Sequence, residues 1–242
     1  MAERPTSPLR SSGASTIQRI DVFLQREDNH IRGSQVIARA AEFLRPRLGA
    51  GAVLTGARFE RTTANRVLCL RDEAPPPEGL SLIGAADFAL GAGDDRAVTR
   101  LRFAELAEPA DCRESRDAIA YEAFGAASRP LCGSFAFAGL ASFEDLLTLM
   151  VRTAETVHQA AIPDIQGIWL AGFRRAALPL DGPAMTAGTL TIKHLRLTGA
   201  APRFRSVSTV DLEGAGGVGL AATITLGFHA PAVPVASPLA SA

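Results

Sequence analysis

Two stretches of the chain share one rhythm of apolar and polar positions. From 34 to about 48, Val36, Ile37, Ala40, Ala41, Phe43, Leu44 and Leu48 mostly follow the i, i+3, i+4, i+7 spacing of one buried helix face. Arg39, Glu42 and Arg45 take the other side, with Glu42 placed to pair with Arg45, and Gly49 and Gly51 end the helix. The second stretch is longer. Phe143, Leu146, Leu147, Met150, Val151, Ala154, Val157, His158 and Ala161 form a continuous apolar stripe. Ser142, with Asp145 three residues on, fits a capping box, and Pro163 marks the end.

Strand-like segments follow each helix. After the first come VLTGARFERT, VLCLRD, LSLIGAADFAL and AVTRLRFAEL. After the second come IQGIWLAGFRRAALP, GTLTIKHLRLTG, PRFRSVSTVDLEG and GVGLAATITLGFHA. Their Val, Leu, Ile and Phe content, partial alternation and intervening Gly-rich turns predict antiparallel pairing. GAGDD, 91–95, reads as a hairpin turn, and APPPEG, 74–79, as a loop, because proline cannot donate to a strand ladder. IDVFL, 20–24, and residues near Ala118–Phe124 are shorter strand candidates. The predicted architecture is α+β, with one helix-plus-sheet unit occurring twice. Its expected divisions are a loose N-terminus over 1–16, a first half over 17–110, a second over 111–229 and a loose Ala/Pro/Ser tail over 230–242.

Composition narrows the field. Apolar residues make up 47% of the 242, enough for a continuous core. Lys plus Arg and Asp plus Glu are 25 each, which argues against a whole-surface electrostatic grip on nucleic acid or an anionic membrane. Cys69, Cys112 and Cys132 are scattered, without zinc-ligand spacing, and suit a reducing, cytoplasmic setting. The first residues hold no apolar signal segment, and no run has the length of a membrane span. No glycine-rich phosphate loop stands between a strand and a helix.

Against this background His30, just before the first helix, and Glu144, at the start of the second, stand out. Glu144 is followed by Leu147 and Val151, so it borders the apolar stripe, whereas Asp145 is occupied by the cap. Each has a plainer use: a loop histidine is ordinarily solvated, and a first-turn acid complements the helix dipole. His158 lies on the apolar stripe, His194 alternates with Ile192, and His229 is near the end of the last strand.

The pattern resembles the double hot-dog fold, in which two sheets join side by side and each wraps a central helix. The segment N-H-I-R-G-S-Q-V-I-A-R resembles the H-xxx-G-xxxx-P motif of polyketide-synthase dehydratase domains. His30 matches its histidine, Gly33 matches its glycine after deletion of one residue, and Arg39 stands in place of its proline. A-G-L-A-S-F-E-D-L-L-T resembles the P-G-(x)4-D segment of beta-hydroxyacyl-ACP dehydratases, with Gly139 at the glycine and Glu144 at the catalytic acid.

The resemblance implies a dehydratase-like lyase acting on a 3-hydroxyacyl thioester in polyketide or fatty-acid biosynthesis. Such chemistry needs a base for the alpha proton and an acid for the departing beta hydroxyl, facing one another across the substrate. A near-neutral imidazole suits the base, and a carboxylic acid in an apolar pocket suits the acid. His30 is then the base and Glu144 the acid, with Thr148 as a helper and Asp145 as the lesser candidate. Gly33, Gly139, Trp169 and Arg174 are candidate substrate-binding residues, Arg174 or Arg175 meeting an acidic carrier or a phosphate. No metal or redox cofactor is implied; the substrate rides on phosphopantetheine, from acyl carrier protein or CoA, and the chain is a monomer or homodimer. A hot-dog thioesterase, isomerase or cyclase is the alternative enzyme. A catalytically dead homologue that binds an acyl carrier or partner subunit is the non-enzymatic one.

Overall fold

In a computed structural model, residues 17–25, 28, 30–71, 76–90, 97–113, 119–124, 131–214, 217–231 and 233 are described. The N-terminus expected to be loose, most of the tail, the GAGDD turn and the first part of APPPEG lie outside them. Helix α1 spans Gly33–Leu48 and α2 spans Phe143–Ala161.

The α1 face is rotated from the expected one. Val36, Ile37, Ala40, Ala41 and Leu44 are buried, but so are Ser34, Gln35 and Ala38, while Phe43 stays half-exposed beneath the Arg47 guanidinium, 4.3 Å from its ring centroid. Gln35 is tolerated inside because its side-chain oxygen accepts the Phe23 N–H at 2.9 Å. Glu42 pairs with Arg39 at 2.7 Å rather than with Arg45, which donates instead to the Leu180 carbonyl at 2.5 Å.

Helix α2 is capped as its sequence predicts. The Ser142 hydroxyl accepts the Asp145 N–H at 3.1 Å, and the Asp145 carboxylate accepts the Ala141 N–H at 3.2 Å, one residue before the usual return bond of a capping box. Its apolar stripe is buried, and Leu149 and Thr153 are buried beside it. The helix packs on α1 as well as on the sheet, which widens the covered face beyond a single stripe.

The strands are β1 (Ile17–Ile20), β2 (Phe23–Gln25), β3 (Ala52–Phe59), β4 (Asn65–Arg71), β5 (Ser81–Leu90), β6 (Val98–Pro109), β7 (Asp111–Arg113), β8 (Ala120–Ala123), β9 (Gly133–Ala138), β10 (Gln166–Arg174), β11 (Leu178–Pro179), β12 (Ala187–Ala200), β13 (Arg203–Gly214) and β14 (Gly219–His229). IDVFL is thus split between two strands. All but β2 and β7 form one antiparallel sheet of order β1-β4-β6-β5-β3-β10-β14-β13-β12-β9-β8, with β11 beside β3. Strands β2 and β7 pair in parallel. β7 falls beyond the expected division at 110, yet it pairs with an element from before it: Pro109 ends the β6 ladder, and the chain then runs along β2.

Strands from the two parts of the chain meet where β3 pairs with β10, through Gly172 opposite Arg58 and Phe173 opposite Ala57. The approach is close. A Cβ on Gly172 would lie 2.3 Å from the Ala57 carbonyl oxygen, so a side chain is excluded there. Helix α1 packs on β1, β3, β5 and β10, and α2 on β12 and β14. Phe88, Phe103, Phe173 and Phe228 are completely buried in the core between helices and sheet.

Candidate active site

His30 is held by its neighbours on either side. The Ile31 N–H donates to the Thr63 carbonyl at 2.7 Å, and Arg32 pairs with Asp28 at 2.7 Å. The loop that carries Thr63 is itself braced: Glu105 accepts from the Thr63 hydroxyl at 2.5 Å and the Asn65 amide at 2.9 Å, and it pairs with Arg61 at 2.6 Å. This network fixes where His30 meets the start of α1. The helix begins with Gly33 and has no side-chain cap; the Gln35 N–H donates to the Arg32 carbonyl at 3.1 Å. A Cβ on Gly33 would meet the Phe59 ring at 2.9 Å, and the glycine lets this ring pack against the helix start.

The imidazole lines a cavity of about 600 Å³ together with Glu60, Arg61, Trp169, Phe204 and His229. Arg203 and Arg205 stand at its exposed rim. A chamber of about 20 Å³, room for about one water, continues inward past Gly33, Val36, Phe59 and Leu170. Burial lowers the pKa of His30; Asp28 pulls it up and Arg32 pushes it down, and burial dominates. The neutral imidazole is the form this setting favours.

A β-bulge shapes one wall. The β10–β14 register shifts between Gln166 and Trp169, and Trp169 lies over Gly227 with its ring edge-on to His229, centroids 5.3 Å apart at 61°. A Cβ on Gly227 would come within 2.3 Å of the indole, so this seat exists only for glycine.

Other residues singled out in the sequence lie elsewhere. Glu144 does not line the His30 cavity; it reaches across to α1 and pairs with Arg39 at 3.1 Å, an arrangement suited to a carboxylate more than to a proton donor. Asp145 is engaged in the cap, and Thr148 is half-buried one turn beyond Glu144. Gly139 adopts φ 83°, turning the chain between β9 and α2. Arg174 is exposed and lines a separate groove with Arg175. Of the candidate residues, His30, Gly33 and Trp169 therefore come together, and Gly139, Glu144, Thr148 and Arg174 do not join them.

Sequence reasoning missed Glu60, Arg61, His229 and the Arg203–Arg205 pair. His229 and the arginine pair reach the cavity through strand register, because β14 and β13 place His229 opposite Arg203, and Glu60 and Arg61 reach it through the bend that follows β3. Two further histidines lie near one another, His158 buried on α2 and His194 half-buried on β12. His158 Nδ1 donates to the Ala154 carbonyl at 2.7 Å, His194 Nδ1 contacts the Ser206 hydroxyl at 3.2 Å, and burial lowers both pKa values. Burial also pushes the Cys69 thiol up to about 12. Among the described residues no group of three or more His, Cys, Asp or Glu side chains is placed to hold a metal ion, and no helix is long and apolar enough to cross a membrane.

No protein-family model matches the chain, and no curated protein matches it. Solved structures do. The tesB protein of Mycobacterium avium subsp. paratuberculosis is similar over 87% of this chain and 92% of its own, with TM-score 0.50 and 9% identity. The acyl-CoA thioesterase II TesB2 of Mycobacterium marinum covers 84% of this chain and 89% of its own (TM-score 0.44, 11% identity). The dehydratase domain of RzxB from Pseudomonas fluorescens covers 90% and 91% (TM-score 0.44, 13% identity). At such identities the likeness speaks for the fold and not for a reaction. The fold is an α+β hot-dog, a large antiparallel sheet with two helices packed on it.

Proposed function

We propose that this chain is an acyl-thioester enzyme of double hot-dog architecture, and that it dehydrates a 3-hydroxyacyl thioester delivered on acyl carrier protein or CoA. The observation that carries this reading is His30: an imidazole whose pKa burial lowers, lining a cavity, just before the start of α1, which has no side-chain cap. A neutral imidazole removes the proton alpha to the thioester carbonyl, and helix N-terminal N–H groups stabilise the oxygen as it gains charge. The beta hydroxyl then leaves with a proton. Resemblance assigns that proton to Glu144, assisted by Thr148; cavity membership assigns it to His229 or Glu60. Trp169 and Gly33 bound the acyl group near His30, and the 20 Å³ inner chamber directs any long chain toward the wider cavity.

The test is turnover of a 3-hydroxyacyl-pantetheine thioester, with product mass recorded. Loss of water by wild type and a fall of about 100-fold or more in kcat for His30→Ala are expected; equal rates for the two proteins would remove His30 from the mechanism. Glu144→Gln, His229→Asn and Glu60→Gln then separate the proton donors. A second reading, thioester hydrolysis, draws on Glu60, a carboxylate in the same cavity as His30 that can orient water. Release of free acid without loss of water would favour it.

A further inference from the structure

On the outer face of the sheet, across β6, β5, β3 and β10, lies an open groove of about 470 Å³. Small residues lie among its lining, Gly56, Gly84 and Ala85, and a Cβ on Gly84 would strike the Arg58 carbonyl oxygen at 2.5 Å. Its walls are cationic. Strand register sets Arg58 opposite Ala85 and Ala85 opposite Arg102, so two arginines flank one alanine across three strands, about 10 Å apart at the backbone. Arg100 stands in the next row, opposite Asp87, and Arg174 and Arg175 close the far end.

Five arginines thus face two carboxylates, in a chain whose formal net charge is zero. The carboxylates are engaged: Asp87 with Arg100 at 2.6 Å and Glu60 with Arg58 at 3.0 Å. Arg174 and Arg175 make no ion pair among the described residues, and both are exposed. Arg175 is also held at φ 49°, a conformation non-glycine residues rarely keep without compensation. Clustered guanidinium groups with small residues among them match phosphate oxygens, which accept two N–H bonds from one fork.

We propose that this groove binds a ligand bearing two neighbouring phosphate groups, a pyrophosphate or a bisphosphate. Such a ligand has two sources, the phosphorylated handle of a thioester substrate or a separate phosphate compound. Glu60 lines both the groove and the His30 cavity, which makes the first source geometrically open. Anion binding itself does not depend on the chemistry at His30.

The experiment titrates the full chain with inorganic pyrophosphate and with adenosine 3′,5′-bisphosphate by calorimetry, at low and high salt. Wild type binds, more weakly at high salt, and Arg174→Gln with Arg175→Gln weakens binding about 10-fold or more. The matched change Arg203→Gln with Arg205→Gln, at the cavity rim, leaves it intact. A KM that rises in the Arg174/Arg175 variant for a CoA thioester, but not for a phosphate-free thioester, assigns the anion to the substrate's handle. Lost pyrophosphate binding with unchanged KM assigns a separate ligand. No binding by wild type at millimolar concentration, equal weakening by the two double variants, or undiminished binding by the first overturns the proposal. If wild type binds pyrophosphate yet turns over no thioester, the groove stands and the reading of His30 falls.

Discussion

Gly227→Ala is a sharp test of how the cavity wall is built. Residue 227 sits under the only tryptophan of the chain, and an added Cβ would lie 2.3 Å from two indole carbons and 2.7 Å from its nitrogen. Ordinary contact begins near 3.4 Å, so the ring must withdraw by about 1 Å, which breaks its edge-on arrangement with His229. Neither backbone can yield cheaply, because β10 and β14 are paired on both sides of the bulge. Overpacking of this kind costs about 1–3 kcal/mol, and in a chain of this size each kcal/mol lowers Tm by roughly 2–4 °C. Urea unfolding followed by Trp169 emission reads both consequences at once: the native spectrum shifts and the midpoint falls. An unchanged spectrum together with a stability change below about 0.5 kcal/mol would show that the indole does not rest on Gly227.

Three further outcomes are expected. Glu144→Gln removes an ion pair whose side chains are 29% and 32% exposed, so it costs no more than about 1 kcal/mol in urea unfolding; a loss above about 2 kcal/mol would mean the pair is far better shielded than its geometry shows. His30, His158 and His194 all have pKa values lowered from 6.5 by burial, so the folded state resists protons that the unfolded chain accepts. Stability is therefore full above pH 6.5 and declines as pH falls below it; His158→Leu should flatten part of that decline, and a curve level from pH 7.5 to 5.5 in the unmodified chain would contradict it. A thiol reagent should label exposed Cys112 quickly and buried Cys69 only on unfolding, as mass mapping would show; labelling of Cys69 at the rate of Cys112 would refute its burial.

Periodicity carried most of the architecture. Apolar spacing located both helices, because each buries a face long enough to repeat several times, and alternation located the long strands for the same reason. It failed where burial is set by a second neighbour. Phe43 has the spacing of a core residue, yet Arg47 covers it, while Ser34 and Gln35 are drawn inside as α1 enters the sheet. Leu149 lies outside the apolar stripe that the spacing of α2 gives, yet it is buried in a helix that packs on α1 as well as on the sheet. The site was legible only in its local part. His30, Gly33 and Trp169 sit next to features visible in sequence: a helix start and an apolar strand. His229 and the arginine rim are brought in by the register of β13 against β14, and Glu60 by the bend after β3, for which no short spacing gives a sign. Glu144 borders an apolar stripe as its spacing indicates, but what it meets is Arg39, a residue of the other helix.

The contact between β3 and β10 has a consequence for how the protein breathes. Two residues of each strand are in register there, against twelve along β12 and β13. A sheet opens first where the fewest backbone hydrogen bonds must break together. Amides of β10 and β3 at this junction should therefore exchange with solvent sooner than those of β12 and β13, through openings that leave the strands on either side intact. Gly172, by allowing the backbones to touch, sets how costly each such opening is.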